Sequence, residues 1–362
     1  MRQTPLHDEH VALGGKVIDF HGWALPVQFA GIIEEHHHTR TKAALFDCSH
    51  MGEFIIRGES AVRAFGTLVC LDPLRIPMGR GKYGAMLNDA GGIIDDVIAF
   101  RLGEFEFFVV TNAGPLEEVS SRICGLSDSS DSSDVSDVSD VSDETAKIDI
   151  QGPIARDVLV NEIPECASLK YYQARHAQWN GVDIVLARTG YTGELGYELF
   201  VPNRIAVDLW RKLLSYPDVK PAGLGARDTL RTEMCYGLSG QDFDESRTPL
   251  EAGMSSFIAW DKEFVGRDAL TAKREAGGYP VLTPIKTSDR RAPRHGFEAK
   301  HNGNTVGVVT SGTFGPSVGH GIGFAYVPEE LAKPGTTLTA GPKDLEIETT
   351  TIPIYTAGTC RA

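Results

Sequence analysis

Two adjacent carboxylates, Asp95 and Asp96, stand inside the otherwise apolar run Gly91-Gly92-Ile93-Ile94-Asp95-Asp96-Val97-Ile98-Ala99-Phe100. Burial disfavours the charged form of a carboxylate and raises its pKa, which suits a group that must exchange or share a proton near neutrality. The run has strand character, and strand side chains alternate faces. One aspartate is therefore expected beside Ile93 and Val97 and the other beside Ile94 and Ile98, so that only one of them serves a given pocket. The residues also admit a plainer arrangement, an edge strand with one aspartate in water and the other capping a turn. Stretches 83–87 and 105–111 are strand-like as well, and Asn88-Asp89-Ala90-Gly91-Gly92 supplies turn residues, so a β-meander is expected to position the pair.

Other reactive side chains have structural readings. His36-His37-His38 falls in a helical stretch, where successive residues point about 100° apart, so three in a row cannot close one metal site. No His-Glu-x-x-His pattern accompanies them, and no metal is expected. Asp47, Ser49 and His50 include the residue types of a hydrolase triad, but the chain has no Gly-x-Ser-x-Gly turn, and a hydrogen-bonded junction is expected there. Gly223-Leu224-Gly225 lacks the third glycine of a dinucleotide-binding loop, and no Walker A sequence occurs. The glycines of Thr189-Gly190-Tyr191-Thr192-Gly193-Glu194-Leu195-Gly196-Tyr197-Glu198 permit tight turns and close approach of backbone to a ligand. Arg227 and Arg231 lie one helical turn apart.

The 362 residues are enough for two or three domains, and 41% hydrophobic with 8% aromatic residues describes an ordinary globular protein. No apolar stretch is long enough to span a membrane, and the first residues lack a signal-peptide core, so a cytoplasmic protein is expected. The net charge of −14 disfavours a nucleic-acid surface. Six scattered cysteines without Cys-x-x-Cys spacing are expected to be reduced thiols. Residues 127–144 form a Ser/Asp/Val tract with aspartate at every third position, read as a solvated, mobile acidic loop that carries about half of the net charge. Beyond Pro280, short apolar runs separated by turns predict a small β-barrel.

Taken in order, nine motifs resemble the aminomethyltransferase (T-protein) family of the glycine cleavage system. They are Thr4-Pro5-Leu6, Phe20-His21-Gly22-Trp23, Phe46-Asp47-Cys48-Ser49-His50-Met51-Gly52, Gly91 to Asp96, Gln151-Gly152-Pro153, Thr189 to Glu194, Ala226 to Arg231, Thr248-Pro249-Leu250-Glu251-Ala252-Gly253 and Gly307-Val308-Val309-Thr310-Ser311-Gly312. The resemblance covers essentially the whole chain. It implies an α+β fold of mostly antiparallel sheets, a three-domain cloverleaf around a central folate-binding hole. Residues 1–50 with 145–245 would form the folate-binding domain, 51–144 with 246–277 the second, and 278–362 the C-terminal β-barrel.

The activity implied is transfer of the methylene carbon from the aminomethyl-dihydrolipoyl arm of H protein to tetrahydrofolate, with release of ammonia. The partner would be lipoylated H protein, with no nucleic acid and no membrane, and the chain would be a monomer. Asp96 falls on the family's catalytic aspartate, orienting folate N10. Glu198, placed in a Gly-Tyr-Glu turn, would accept neighbouring N–H donors of the pterin edge. Arg227 resembles the folate-contacting arginine, an ion pair within its own helix being the competing reading. Tyr83, Met51, Asn112, Tyr191 and Tyr236 match positions near the folate. Cys48 stands where valine is common and Phe100 where tyrosine is frequent. A folate-dependent demethylase of the same fold is the alternative enzyme. A folate-binding assembly factor is the alternative of another class, but its Lys-Gly-Cys-Tyr-x-Gly-Gln motif is replaced here by Asp261-Lys262-Glu263-Phe264-Val265-Gly266-Arg267.

Overall fold

The computed structural model describes residues 1–126 and 137–362. A six-stranded sheet runs in the order Ala174–Trp179, Val182–Ala187, Gly196–Pro202, Thr145–Gln151, Ala43–Asp47, Val219–Pro221, antiparallel except for the last pair. Period-two alternation divides its side chains between faces. On one face Ala43, Leu45, Ile148 and Leu199 pack with the apolar stripe Ile205, Leu209, Trp210 and Leu213 of helix Asn203–Leu214. On the other, Ala44, Phe46 and Cys48 meet Ala226 and Leu230 of helix Leu224–Glu233.

A five-stranded antiparallel sheet has the order Gly81–Leu87, Ile93–Gly103, Glu106–Thr111, Gly52–Arg57, Asp137–Asp140. Phe54, Ile56, Val97, Phe107 and Val109 pack under helices Glu59–Leu68 and Leu116–Cys124. Phe100, Phe108 and Val110 on the opposite face meet Ala174, Ala187 and Phe200 of the first sheet, with the Phe108 and Phe200 rings 4.8 Å apart. Phe100 is therefore joint packing, where a hydroxyl would need a partner. Residues 243–270 cross back to this sheet, Phe243, Leu250, Met254 and Leu270 packing on Ala85, Leu87 and Ile93.

The third body is a closed six-stranded barrel of Pro280–Lys286, His320–Pro328, Asn304–Gly315, Glu298–His301, Thr337–Ala340 and Leu345–Thr349, filled by Ile285, Val309, Val327, Leu338 and Ile347. Buried Arg231 ties it to the first sheet, donating to Ser311 Oγ at 2.8 Å and to Asp242 Oδ2 at 2.6 Å. The chain then returns, Tyr355 N–H donating to Glu233 O and Cys360 N–H to Gly193 O. Among the described residues no helix is long and apolar enough to cross a membrane.

Three local expectations are corrected. Strand Ile93–Gly103 is not an edge strand, because it is paired on both sides. A register shift opposite Met86 and Leu87 leaves Ile94 as an extra residue, which inverts side-chain parity. Ile93 consequently packs with Ala85 and Leu87, and Ile94 with Met86 and Val97. The acidic loop 127–144 is only partly testable, since 127–136 lies outside the described residues. Its later part is ordered: Asp137–Asp140 adds an edge strand to Gly52–Arg57, and Val138 and Val141 reach the cores. Strand addition is driven by main-chain hydrogen bonds to an open edge, so it tolerates exposed aspartates.

Candidate active site

Asp95 is fully enclosed and accepts three hydrogen bonds, from Asn112 N–H at 2.8 Å, Asn112 Nδ2 at 2.8 Å and Ser239 Oγ at 3.0 Å. Asp96 is only half-buried, and its Oδ1 accepts from Asn112 Nδ2 at 2.7 Å. One side-chain amide therefore reaches both carboxylates, although they leave the strand on opposite faces. The Tyr83 hydroxyl also donates to Asp96. Burial raises the pKa of both aspartates, and the charge of Asp96 raises that of Asp95 further. Ionising one carboxylate thus disfavours ionising the other, and the two titrate as a pair.

Phenols surround this pair. Tyr83, Tyr172 and Tyr191 all lie within electrostatic reach of Asp96, and burial raises the pKa of each. Tyr83 is braced edge-on by Phe257, the ring centres 5.0 Å apart. Tyr191 stacks on Tyr236 at 5.7 Å, and the Arg227 guanidinium lies 4.9 Å above the Tyr191 ring. The Tyr191 hydroxyl donates to Gly237 O. The turn that presents Tyr191 depends on Gly193, whose φ of 80° and close packing on Met234 leave no room for a side chain.

Beside the phenols lies a charged row on the first sheet. Lys147 Nζ donates to Asp149 Oδ1 at 2.6 Å and to Glu198 Oε1 at 2.8 Å, and Thr189 Oγ1 donates to Glu198 Oε2 at 2.5 Å. Arg227 Nη1 meets Asp149 Oδ2 at 3.1 Å. Two cations thus balance two anions, and the anions push the Lys147 and Arg227 pKa values up against the effect of burial. Arg227 pairs across to a strand and not within its helix. Glu198 is central in strand Gly196–Pro202, not in a turn, because the glycine-rich turn ends before it.

Asp96, Tyr83, Asn112, Tyr191, Tyr236 and Arg227 all retain accessible surface although protein packs around them, whereas Glu198 is buried at their floor. Together they form a polar, aromatic cluster. Met51 lies at the joint between the two sheets, packed on both adjoining clusters. Cys48, whose thiol burial pushes up to about 12, is inert packing beside Asp149. Among the described residues no group of three or more His, Cys, Asp or Glu is placed to hold a metal.

Comparison with known proteins decides the relationship. Residues 6–262 match the GCVT N-terminal domain and residues 281–355 the glycine cleavage T-protein C-terminal barrel domain. The chain belongs to the glycine cleavage T-protein family. An aminomethyltransferase of Halothermothrix orenii is 40% identical over 94% of this chain and 95% of its own length. One from Rubrobacter xylanophilus is 43% identical over 91% of this chain and 88% of its own. The crystal structure of the glycine cleavage system aminomethyltransferase T from Bartonella henselae superposes with a TM-score of 0.92, at 30% identity, over 99% of each chain.

Within this T-protein framework, five residues of the site escaped sequence reasoning. Tyr171 and Tyr172, whose rings meet edge-on at 4.9 Å, follow an irregular loop without a motif. Ser239 reaches Asp95 from 144 residues away. Lys147 and Asp149 did carry a signal, charges alternating with Ile148 and Ile150 in a strand whose apolar face is core.

Proposed function

We propose that this aminomethyltransferase moves the methylene carbon of an aminomethyl group, carried on the dihydrolipoyl arm of H protein, to tetrahydrofolate, releasing ammonia, with Asp96 as the catalytic residue. The observation that carries this reading is that Asp96, of the two coupled carboxylates, is the one that keeps accessible surface and takes the Tyr83 hydroxyl among the clustered tyrosines.

The residues present fit a reduced folate. Flat tyrosine faces suit the pterin and aminobenzoyl rings. The Glu198 carboxylate suits an edge bearing two neighbouring N–H donors, and Arg227 suits an electron-rich or anionic part of the ligand. Bound tetrahydrofolate supplies the nucleophilic nitrogens that accept the carbon. Asp96 would hydrogen-bond the nitrogen at position 10 and hold or receive a proton at its carboxyl, where a raised pKa keeps both forms available. Tyr83 and Asn112 fix the carboxyl rotamer. The Tyr191–Tyr236 stack would limit water around the reacting carbon. Glu198 would serve the pterin with the lone pairs left beside the bonds it accepts from Lys147 and Thr189.

The test is ammonia release from aminomethyl-lipoyl H protein with and without tetrahydrofolate. Folate-dependent release that Asp96→Asn abolishes supports the proposal. Absence of folate-dependent release, with turnover of a methylated amine instead, overturns it in favour of a demethylase.

A further inference from the structure

Gly193 carries the turn that presents Tyr191, and without a side chain, at a φ of 80°, it can be held only through its backbone. That hold comes from residues 358–360. Cys360 N–H donates to Gly193 O at 3.0 Å, and the Thr359 hydroxyl accepts from Leu195 N–H at 2.8 Å while donating to Glu194 Oε2 at 2.5 Å. Thr359 N–H reaches the same carboxylate oxygen at 3.2 Å. We propose that Thr359 is a positioning residue for the transfer site: its hydroxyl fixes the backbone of 193–195, and with it the Tyr191 ring against Tyr236. The inference deepens the proposed function and rests on it, since reading the tyrosines as folate faces is what gives the placement of this ring a consequence for the reaction.

Other groups hold the same turn, so the share of Thr359 has to be weighed against theirs. Arg40 Nη1 donates to Thr192 O at 2.6 Å and to Glu194 Oε1 at 2.8 Å, and Thr192 Oγ1 donates to Gln151 Oε1 at 2.9 Å. These bonds secure residues 192 and 194. Among the described residues, the Gly193 carbonyl and the Leu195 N–H find their hydrogen-bond partners only in Cys360 and Thr359. Leu195 is buried, so removing the hydroxyl leaves its N–H without a partner and takes from Glu194 Oε2 the shorter of its two bonds to Thr359.

Residues 354–362 are themselves tied to the elements that frame the tyrosines. Ile354 and Tyr355 N–H donate to Glu233 O, at the end of the helix bearing Arg227, at 3.1 and 2.9 Å, and the Arg40 guanidinium lies 4.1 Å from the Tyr355 ring centre. Buried Arg188 donates through Nη2 to Cys360 O and Ala362 O. The segment lies so close to the turn that a Cβ at Gly358 would stand 2.5 Å from Gly193 O. On the other side of the stack, the Tyr171 hydroxyl lies beside both the Tyr236 hydroxyl and the Cys360 thiol. One segment, distant in the chain, thus borders both members of the Tyr191–Tyr236 stack.

The experiment combines NMR of the full-length chain labelled at the tyrosine rings, with Tyr191 and Tyr236 assigned through Tyr191→Phe and Tyr236→Phe, and a fluorescence titration with tetrahydrofolate. Thr359→Val removes the hydroxyl and keeps the shape. It is expected to shift the Tyr191 and Tyr236 ring signals, to leave that of Tyr216 beside Glu162 in place, and to weaken folate affinity about 3- to 10-fold, the net worth of one hydrogen bond. Thr359→Ser keeps the hydroxyl and should restore both. Leu338→Ala, which lowers stability from inside the barrel, should change neither. If Thr359→Val does not fold, Gly358→Ala, which presses on Gly193 O, carries the test with the same expected shifts. Unmoved ring signals in a folded variant, a Thr359→Ser variant that behaves like Thr359→Val, or equal shifts in Leu338→Ala overturn the proposal. If the ring signals move and folate affinity does not follow, Thr359 acts as stated and the reading of Tyr191 as a folate face fails.

Discussion

Lys147 Nζ lies 2.8 Å from Glu198 Oε1 where both side chains are nearly closed to solvent. A ligand that takes the Glu198 carboxylate therefore shares it with a buried ammonium. Glu198→Gln removes the charge and keeps the shape. Tetrahydrofolate affinity should weaken about 10- to 100-fold, the worth of a charge-assisted hydrogen bond, while turnover of the saturated enzyme changes less. Fluorescence titration and the split between KM and kcat check this; unaltered affinity would exclude Glu198 as a pterin contact.

Asp96→Asn keeps the Asn112 and Tyr83 contacts but cannot hold the exchangeable proton. Turnover should fall about 10²- to 10⁴-fold, with folate binding much less affected. Asp95→Asn puts an amide among donors and should act mainly on stability, by about 1–3 kcal/mol. A larger loss of turnover in Asp95→Asn than in Asp96→Asn would reverse the assignment.

Glu53 is fully enclosed and neither carboxyl oxygen has a hydrogen-bond partner among the described residues, so burial holds its pKa well above the ordinary value. The folded chain then binds this proton more tightly than the unfolded chain. The stability it contributes is complete below the unfolded pKa of about 4.3 and declines as pH rises toward the folded value. Glu53→Gln should abolish that decline and be more stable at neutral pH by about 1–3 kcal/mol. Urea unfolding at a series of pH values measures it, and parallel curves for the two proteins would remove Glu53 as the source.

Asp242 neutralises buried Arg231 and receives the barrel's Thr310. Asp242→Ala leaves the guanidinium with the half-exposed Asp228 as its remaining ion-pair partner among the described residues. A loss of about 3–5 kcal/mol is expected, read as a lowered thermal midpoint. An unchanged midpoint would mean that the barrel is anchored elsewhere.

Much of the molecule was legible in its residues because the signals are local. Alternating apolar residues around the turn at Asn88–Gly92 specify the meander, and the runs beyond Pro280 specify the barrel strands. The full set of motifs, read in order, specifies the family. What periodicity could not supply was parity: one extra residue at Ile94 exchanges the faces of Ile93 and Ile94, and a bulge leaves no mark in composition. Nor could a Ser/Asp tract announce that Asp137–Asp140 would pair, because the open edge of Gly52–Arg57 provides the hydrogen bonds and the side chains only have to tolerate them.

The two adjacent aspartates, their apolar setting and hence a raised proton affinity were determined by the sequence alone. Tertiary structure decided which of them keeps accessible surface and which is enclosed, because the deciding groups arrive from elsewhere in the chain. Asn112 comes from the end of a neighbouring strand, Ser239 from a loop clamped to the barrel, and Tyr172, Tyr191 and Arg227 from the other sheet and its helix. Proton affinity depends on distances of a few ångströms between groups far apart along the chain, and only the folded molecule sets those distances.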